Sequence, residues 1–158
     1  MSLRKGIVVI EKQEQARKTV KRYMWYSAGA GLIPIQYLDS VAVSALQMKM
    51  LADLATIYDV PFQRDLGKAA VASLAGFIIP HAAAFGALAK AVPGLNVLAS
   101  PLTAVFSGAY SFAVGNVFIQ HFESGGTFLS FDPEKVREYF KSQFAGGQKL
   151  APAVPVQA

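Results

Sequence analysis

Residues 69–122 read AAVASLAGFIIPHAAAFGALAKAVPGLNVLASPLTAVFSGAYSFAVGNVFIQHF. Only Lys90 carries a charge in this stretch, which has 21 uncharged residues before that lysine and 32 after it. As a helix, the first uncharged run would be about 32 Å long, close to the thickness of a bilayer's hydrocarbon core. Val92-Pro93-Gly94 interrupts the second run. The pattern predicts a helical hairpin, with arms at about 66–90 and 98–122, that enters a membrane.

The two arms of this hairpin contain many small residues. Between Ala69 and Ala89 there are nine alanines against seven of Leu, Ile, Val and Phe, and Pro80 lies near the middle. An alanine-rich run is a weak membrane span, so a buried hairpin in a soluble bundle and a wedge in one leaflet stay open as alternatives. Small residues four apart let helix backbones approach closely. The predicted helix-packing positions are Ala72, Gly76, Ser107, Ser111 and Gly115.

The net charge of +5 comes from the first 25 residues. They hold seven basic and two acidic side chains, whereas the rest of the chain holds eight of each. This predicts a basic amphipathic helix at 1–25 rather than a general nucleic-acid surface. Basic residues that run into Trp and Tyr are typical of a segment at lipid headgroups; the alternative is a solvated helix whose aromatics fold into the core. The predicted membrane-surface residues are Arg17, Lys18, Lys21, Arg22 and Trp25.

The remaining elements are predicted to be helical as well. Apolar residues at three- and four-residue spacings predict a helix at 37–58, after an apolar connector at 27–35. Asp132-Pro133-Glu134 is a strong helix start and predicts a helix at 133–144 that docks by an aromatic side. The Gly- and Pro-containing segment 145–158 is predicted to be a flexible tail. The fold class is therefore all-α, with one membrane-associated domain at 26–144.

No group of residues has the spacing of a catalytic, cofactor or metal site. The chain has no cysteine, and its two histidines, His81 and His121, would lie at different depths of the hairpin. Gly29-Ala30-Gly31 is followed by Pro34 and not by a third glycine, so it is not a dinucleotide-binding loop. The aspartates have capping and surface positions and pair with no nucleophile. The sequence predicts a protein that is not an enzyme and needs no cofactor.

Five short motifs follow each other between Tyr26 and Phe140: GLIPI at 31–35, LD at 38–39, ALQMKML at 45–51, YxVPF at 58–62 and HFESGGT at 121–127. In this order they resemble the YcjF-like family, the bacterial domain of unknown function 697. Members of this family are often fused to Era-like GTPases or encoded beside them. The resemblance implies a bacterial, helical, membrane-associated protein with a GTPase as its natural partner. It implies no reaction.

Together, these observations predict a non-enzymatic protein of the bacterial inner membrane with both termini in the cytoplasm. It would insert the hairpin into lipid and self-associate, or act as the accessory partner of an Era-like GTPase. One alternative is a soluble helical interaction domain that docks on a GTPase. Another is an oligomeric scaffold that shapes membranes.

Overall fold

The computed structural model describes residues 2–31, 40–78 and 95–150, which form five α-helices and no strand. The helices are α1 (Ser2–Gly31), α2 (Ser40–Ile57), α3 (Arg64–Ala75), α4 (Leu95–Glu123) and α5 (Pro133–Leu150). The prediction of an all-α fold is confirmed. Within the described ranges, no helix combines the length and the apolar character needed to cross a membrane.

Helix α4 lies between α1 and α5, and these two pairings are the most extensive in the described structure. Its side chains at Val114, Val117 and Phe118 are fully buried. This helix corresponds to the predicted second arm of the hairpin, and its partners here are the N-terminal and C-terminal helices. The first arm beyond residue 78 and the Pro93-Gly94 turn lie outside the described residues, so the hairpin stays a prediction.

The core is rich in phenylalanine, and Phe118 is at its centre. Its ring stacks on Phe131 at 4.8 Å between centroids and lies 5.6 Å from Phe128. Both partners belong to the segment between α4 and α5, so burial of their rings fixes that segment on the helices. Phe140 of α5 is also fully buried and meets Tyr110 of α4 edge to face. Each such side chain contributes roughly 1.5–3 kcal/mol on burial.

Two helices are longer than predicted. Helix α1 continues to Gly31, so residues 27–31 are helical and not part of the predicted connector. Ser27 and Ala28 are buried, and this packing outweighs the weak helix propensity of the two glycines that follow. Helix α5 runs to Leu150, six residues past its predicted end. Its Gly147 is buried against the backbone of Ala109 in α4, an approach that only a glycine allows.

The two remaining predictions of helix limits differ in outcome. Helix α2 ends at Ile57, within one residue of its predicted end, and positions 37–39 lie outside the described residues. Helix α3 ends at Ala75, where the predicted arm at 66–90 was expected to continue. Residues 76–78 form a turn, in which the Gly76 N–H donates to the carbonyl of Ala72. The predicted arm is therefore interrupted at this turn.

Candidate functional site

The five predicted membrane-surface residues lie on one exposed side of α1. The buried positions of this helix recur every three or four residues: Ala16, Val20, Tyr23, Ser27 and their neighbours Thr19, Met24 and Ala28. The positions between them face outward, and Trp25 keeps 51% of its surface exposed. We call the exposed set the basic face: Arg17, Lys18, Lys21, Arg22 and Trp25. On a helical wheel, Trp25 falls near the middle of this set.

The opposite side of α1 is fixed to α2 by a phenol–carboxylate hydrogen bond. The Tyr23 hydroxyl donates to Oδ2 of Asp53 at 2.6 Å. Burial, and then the hydrogen bond to Asp53, raises the pKa of Tyr23 to about 12. Arg22 reaches the same carboxylate at 3.6 Å, and Lys12 pairs with Asp59 at 2.6 Å. The contacts orient α1 so that its basic face stays exposed.

A buried chain of polar side chains joins three helices behind the basic face. Gln47 of α2 donates through Nε2 to the Ser111 hydroxyl at 2.5 Å, and Ser111 of α4 donates to the Ser27 hydroxyl of α1 at 2.6 Å. All three residues are buried. Because a buried polar group without a partner costs about 1–3 kcal/mol, this chain favours one register of the three helices.

The predicted helix-packing residues fall into two groups. Ser111 and Gly115 lie in the contact of α4 with α1, where a Cβ on Gly115 would be 2.5 Å from Cγ2 of Val20. Ser107 is partly buried. Ala72 on α3 and Gly76 in the turn after it are both exposed. In the described part of the chain, the small residues of α4 therefore accommodate the N-terminal helix and not the first arm of a hairpin.

The first turns of α1 project from the protein, which sequence reasoning did not predict. Every residue from Ser2 to Glu11 is exposed, including the apolar run Ile7 to Ile10, whose members keep 48–63% of their surface exposed. The signal was present in the sequence, because four consecutive β-branched apolar residues cannot all lie on one buried side of a helix. The basic face thus continues into an exposed apolar end.

The described residues show no arrangement suited to catalysis or metal binding. No group of three or more His, Asp or Glu side chains among them could hold a metal ion. His121 has a structural contact instead, with Nε2 at 2.7 Å from the Thr127 carbonyl. The Tyr58 hydroxyl donates to Glu123 at 2.7 Å, and burial followed by this bond raises the pKa of Tyr58. His81 lies outside the described residues.

Comparisons with known proteins agree on one family. The profile of the family described as "Domain of unknown function (DUF697)" matches residues 5–149. The chain is 33% identical over 143 residues to Magnetosome membrane protein 22 of Magnetospirillum gryphiswaldense, an alignment that covers 88% of this chain and 73% of that protein. No solved structure matches.

Proposed function

The chain belongs to the DUF697 family, and from this premise we propose that it is a non-enzymatic, membrane-associated protein that binds anionic bilayers through its basic face. The observation that carries the proposal is the arrangement of Arg17, Lys18, Lys21 and Arg22 around an exposed Trp25 on one side of α1. A similar relative is named as a membrane protein, which supports the same reading.

The energetics of such a surface are sufficient for reversible binding. A basic residue near an anionic lipid surface contributes about 1 kcal/mol, and an indole ring adds its preference for the headgroup level. Two of the basic residues are paired, Lys18 with Glu14 at 2.8 Å and Arg22 with Asp53 at 3.6 Å. Both pairs are solvent-exposed and therefore weak, so lipid phosphates can compete for these cations.

The test uses Trp25, the single tryptophan of the chain, as its own reporter. Its emission is recorded while vesicles of phosphatidylglycerol and phosphatidylcholine, or of phosphatidylcholine alone, are added at low and high salt. We expect a blue shift and intensity gain with the anionic vesicles only, weakened by salt because exposed charges are screened. Equal responses to both kinds of vesicle would overturn the proposal.

A charge-matched pair of variants assigns the binding to this face. Lys18→Gln with Arg22→Gln removes two charges from the basic face, and we expect a loss of about tenfold or more in vesicle affinity. Lys135→Gln with Lys141→Gln removes two exposed charges from α5 and serves as the control. Equal losses in both variants would mean that net charge, and not this face, determines binding.

Self-association is a second candidate function, favoured by the projecting end of α1. Four exposed apolar side chains, Ile7 to Ile10, form a surface that a second copy could cover. Ile7→Lys with Ile10→Lys would then lower the molar mass measured by light scattering in detergent-free buffer. An unchanged mass would remove this candidate.

Three finer predictions from the sequence belong to this proposal. These are insertion of the hairpin, an Era-like GTPase as partner, and a location at the bacterial inner membrane with both termini in the cytoplasm. The location is tested with trypsin, because residues 12–22 offer five exposed or partly exposed cleavage sites. We expect cleavage in vesicles whose cytoplasmic side faces outward and protection in vesicles of the opposite orientation.

A further inference from the structure

A cleft of about 520 Å³ lies where α1, α4 and α5 meet, next to the basic face. Helix α1 contributes Arg17 and Lys21 to its lining. These two residues and Trp25 follow each other at four-residue intervals, so they form one row along the helix. The cleft therefore opens beside the surface that we propose to meet the membrane.

The two basic residues of the cleft differ from their neighbours in their pairing. Lys12, Lys18 and Arg22 each form an ion pair, whereas Arg17 and Lys21 form none with any residue that the structure describes. Both side chains therefore keep their N–H donors for a ligand. They give the cleft a charge of +2 before its one carboxylate, Glu123, is counted.

The remaining polar groups of the lining supply both donors and acceptors. Asn116 donates through Nδ2 to Oε1 of Gln143 at 2.9 Å, which leaves the Gln143 amide nitrogen as a donor. Burial raises the pKa of Tyr139, so its hydroxyl stays protonated and can also donate. Glu123 accepts from Tyr58 through Oε1, and its second oxygen can accept from a ligand. The net charge of +1 and these donors suit an anion that also carries hydroxyl groups.

Apolar side chains complete the cleft. Phe112 and Ile119 of α4 line it from one side, and Leu150 of α5, 51% exposed, lines it from the other. A free inorganic anion has no apolar part that could pack against this surface. A ligand with a charged end and a hydrocarbon end matches both parts of the lining.

We propose that this cleft binds the phosphodiester headgroup of a single anionic phospholipid, with Arg17 and Lys21 on the phosphate. A hydroxyl of the headgroup donates to Glu123, and the start of the acyl chains lies against Phe112 and Leu150. The proposal deepens the proposed function, since the lipid comes from the same bilayer. It adds recognition of one lipid molecule to general attraction by a charged surface.

The test separates the cleft from the basic face because it needs no bilayer. Dihexanoyl phosphatidylglycerol, kept below its critical micelle concentration, is titrated into the full chain by calorimetry. We expect saturable binding, and a loss of about tenfold in affinity for Arg17→Gln. Lys141→Gln is the matched control: it removes one exposed positive charge from α5, outside the basic face, and does not line the cleft, so its loss should stay below about threefold.

A second variant and a second ligand keep the result unambiguous. Gln143→Leu leaves the charge unchanged and removes a donor, and we expect weaker lipid binding. The unfolding midpoint should fall by no more than the loss of the one hydrogen bond from Asn116 explains. Inorganic phosphate should bind far more weakly than the short-chain lipid. Equal binding of the two would assign the site to a free anion and overturn the proposal.

The outcomes also distinguish this proposal from the proposed function. Vesicle binding without binding of the short-chain lipid would remove the cleft and leave the basic face in place. Binding of the short-chain lipid without vesicle binding would keep the cleft as a lipid site and remove the basic face as a membrane-binding surface.

Discussion

Gly115 of α4 lies directly under Val20 of α1, and a Cβ on that glycine would be 2.5 Å from one methyl of the valine and 2.7 Å from the other. Val20 is β-branched, so its χ1 angle is restricted and its two methyl groups cannot both turn away from such a Cβ easily. The absence of a side chain at residue 115 therefore sets the distance between the two most extensively paired helices.

The first prediction follows from this contact. Gly115→Ala should destabilise the protein by about 1–2 kcal/mol, because overpacking outweighs the gain in helix propensity. The measurement is urea unfolding followed by circular dichroism. Gly29→Ala, at an α1 position with nothing within 4 Å, is the control and should be neutral or slightly stabilising. If Val20→Ala does not relieve the cost of Gly115→Ala in the double variant, the contact has no role.

A second prediction concerns the buried polar chain. Ser111→Ala should cost about 1–3 kcal/mol, because it leaves the Gln47 amide and the Ser27 hydroxyl without their shared partner. The same unfolding measurement applies. Ser73→Ala removes an exposed hydroxyl that bonds the carbonyl of Ala69 in its own helix, and it should change stability by less than about 0.5 kcal/mol. Similar effects of the two substitutions would contradict the structural role of the chain.

The third prediction is a pH dependence centred on Tyr23. Its pKa is about 12 in the folded protein against an ordinary value of 10.0. A raised pKa in the folded state means that the stabilisation is complete below pH 10 and is lost as the pH rises towards 12. Tyr23→Phe removes this contribution, so the stability difference between wild type and variant should shrink across that window.

The comparison with Tyr23→Phe is needed because burial also raises the pKa values of Tyr58 and Tyr110, which act with the same sign. Unfolding midpoints of both proteins are measured from pH 8 upward. Tyr26→Phe alters an exposed ring and should have little effect at neutral pH. A Tyr23→Phe difference that stays constant up to pH 12 would show that burial and the bond to Asp53 do not raise the pKa of Tyr23 in the folded protein.

The fourth prediction concerns the segment between α4 and α5. The His121 ring lies against Gly126 and edge to face with Phe131 at 5.3 Å, besides its contact with the Thr127 carbonyl. His121→Ala should loosen this segment and speed chymotrypsin cleavage between residues 128 and 131. Gln120→Ala, at the exposed neighbouring position, should leave the rate unchanged. Equal cleavage rates in wild type and His121→Ala would contradict the prediction.

Much of the fold could be predicted from local patterns. The all-α class, the start of α5 at Pro133 and the end of α2 near Val60-Pro61 follow from periodicity, caps and proline. The resemblance to the DUF697 family is confirmed by the family profile, which matches residues 5–149. It could be found from the sequence because its motifs are short and local. The exposure of the four basic residues of the basic face also followed from charge, since such side chains avoid the interior.

What the sequence did not predict depends on contacts between distant residues. The small residues of α4 indicate a close helix partner but not which one, and the structure pairs them with α1. The helical state of residues 27–31 and 145–150 depends on contacts with α4 at Ser111 and Ala109. The cleft could not be found from sequence, because its lining combines residues from three helices.

The central position of α4 has a consequence for any transfer of this helix from the folded protein into a bilayer. Its residues 109–119, most of which are buried, are already covered by α1 and α5. Lipid chains and these two helices therefore compete for one and the same surface. A bilayer that took up α4 would first have to displace α1, together with the basic face that we propose as its binding surface. Binding at the bilayer surface keeps α1 packed on α4, whereas insertion of α4 requires the two helices to separate. The two modes of membrane association would therefore exclude each other.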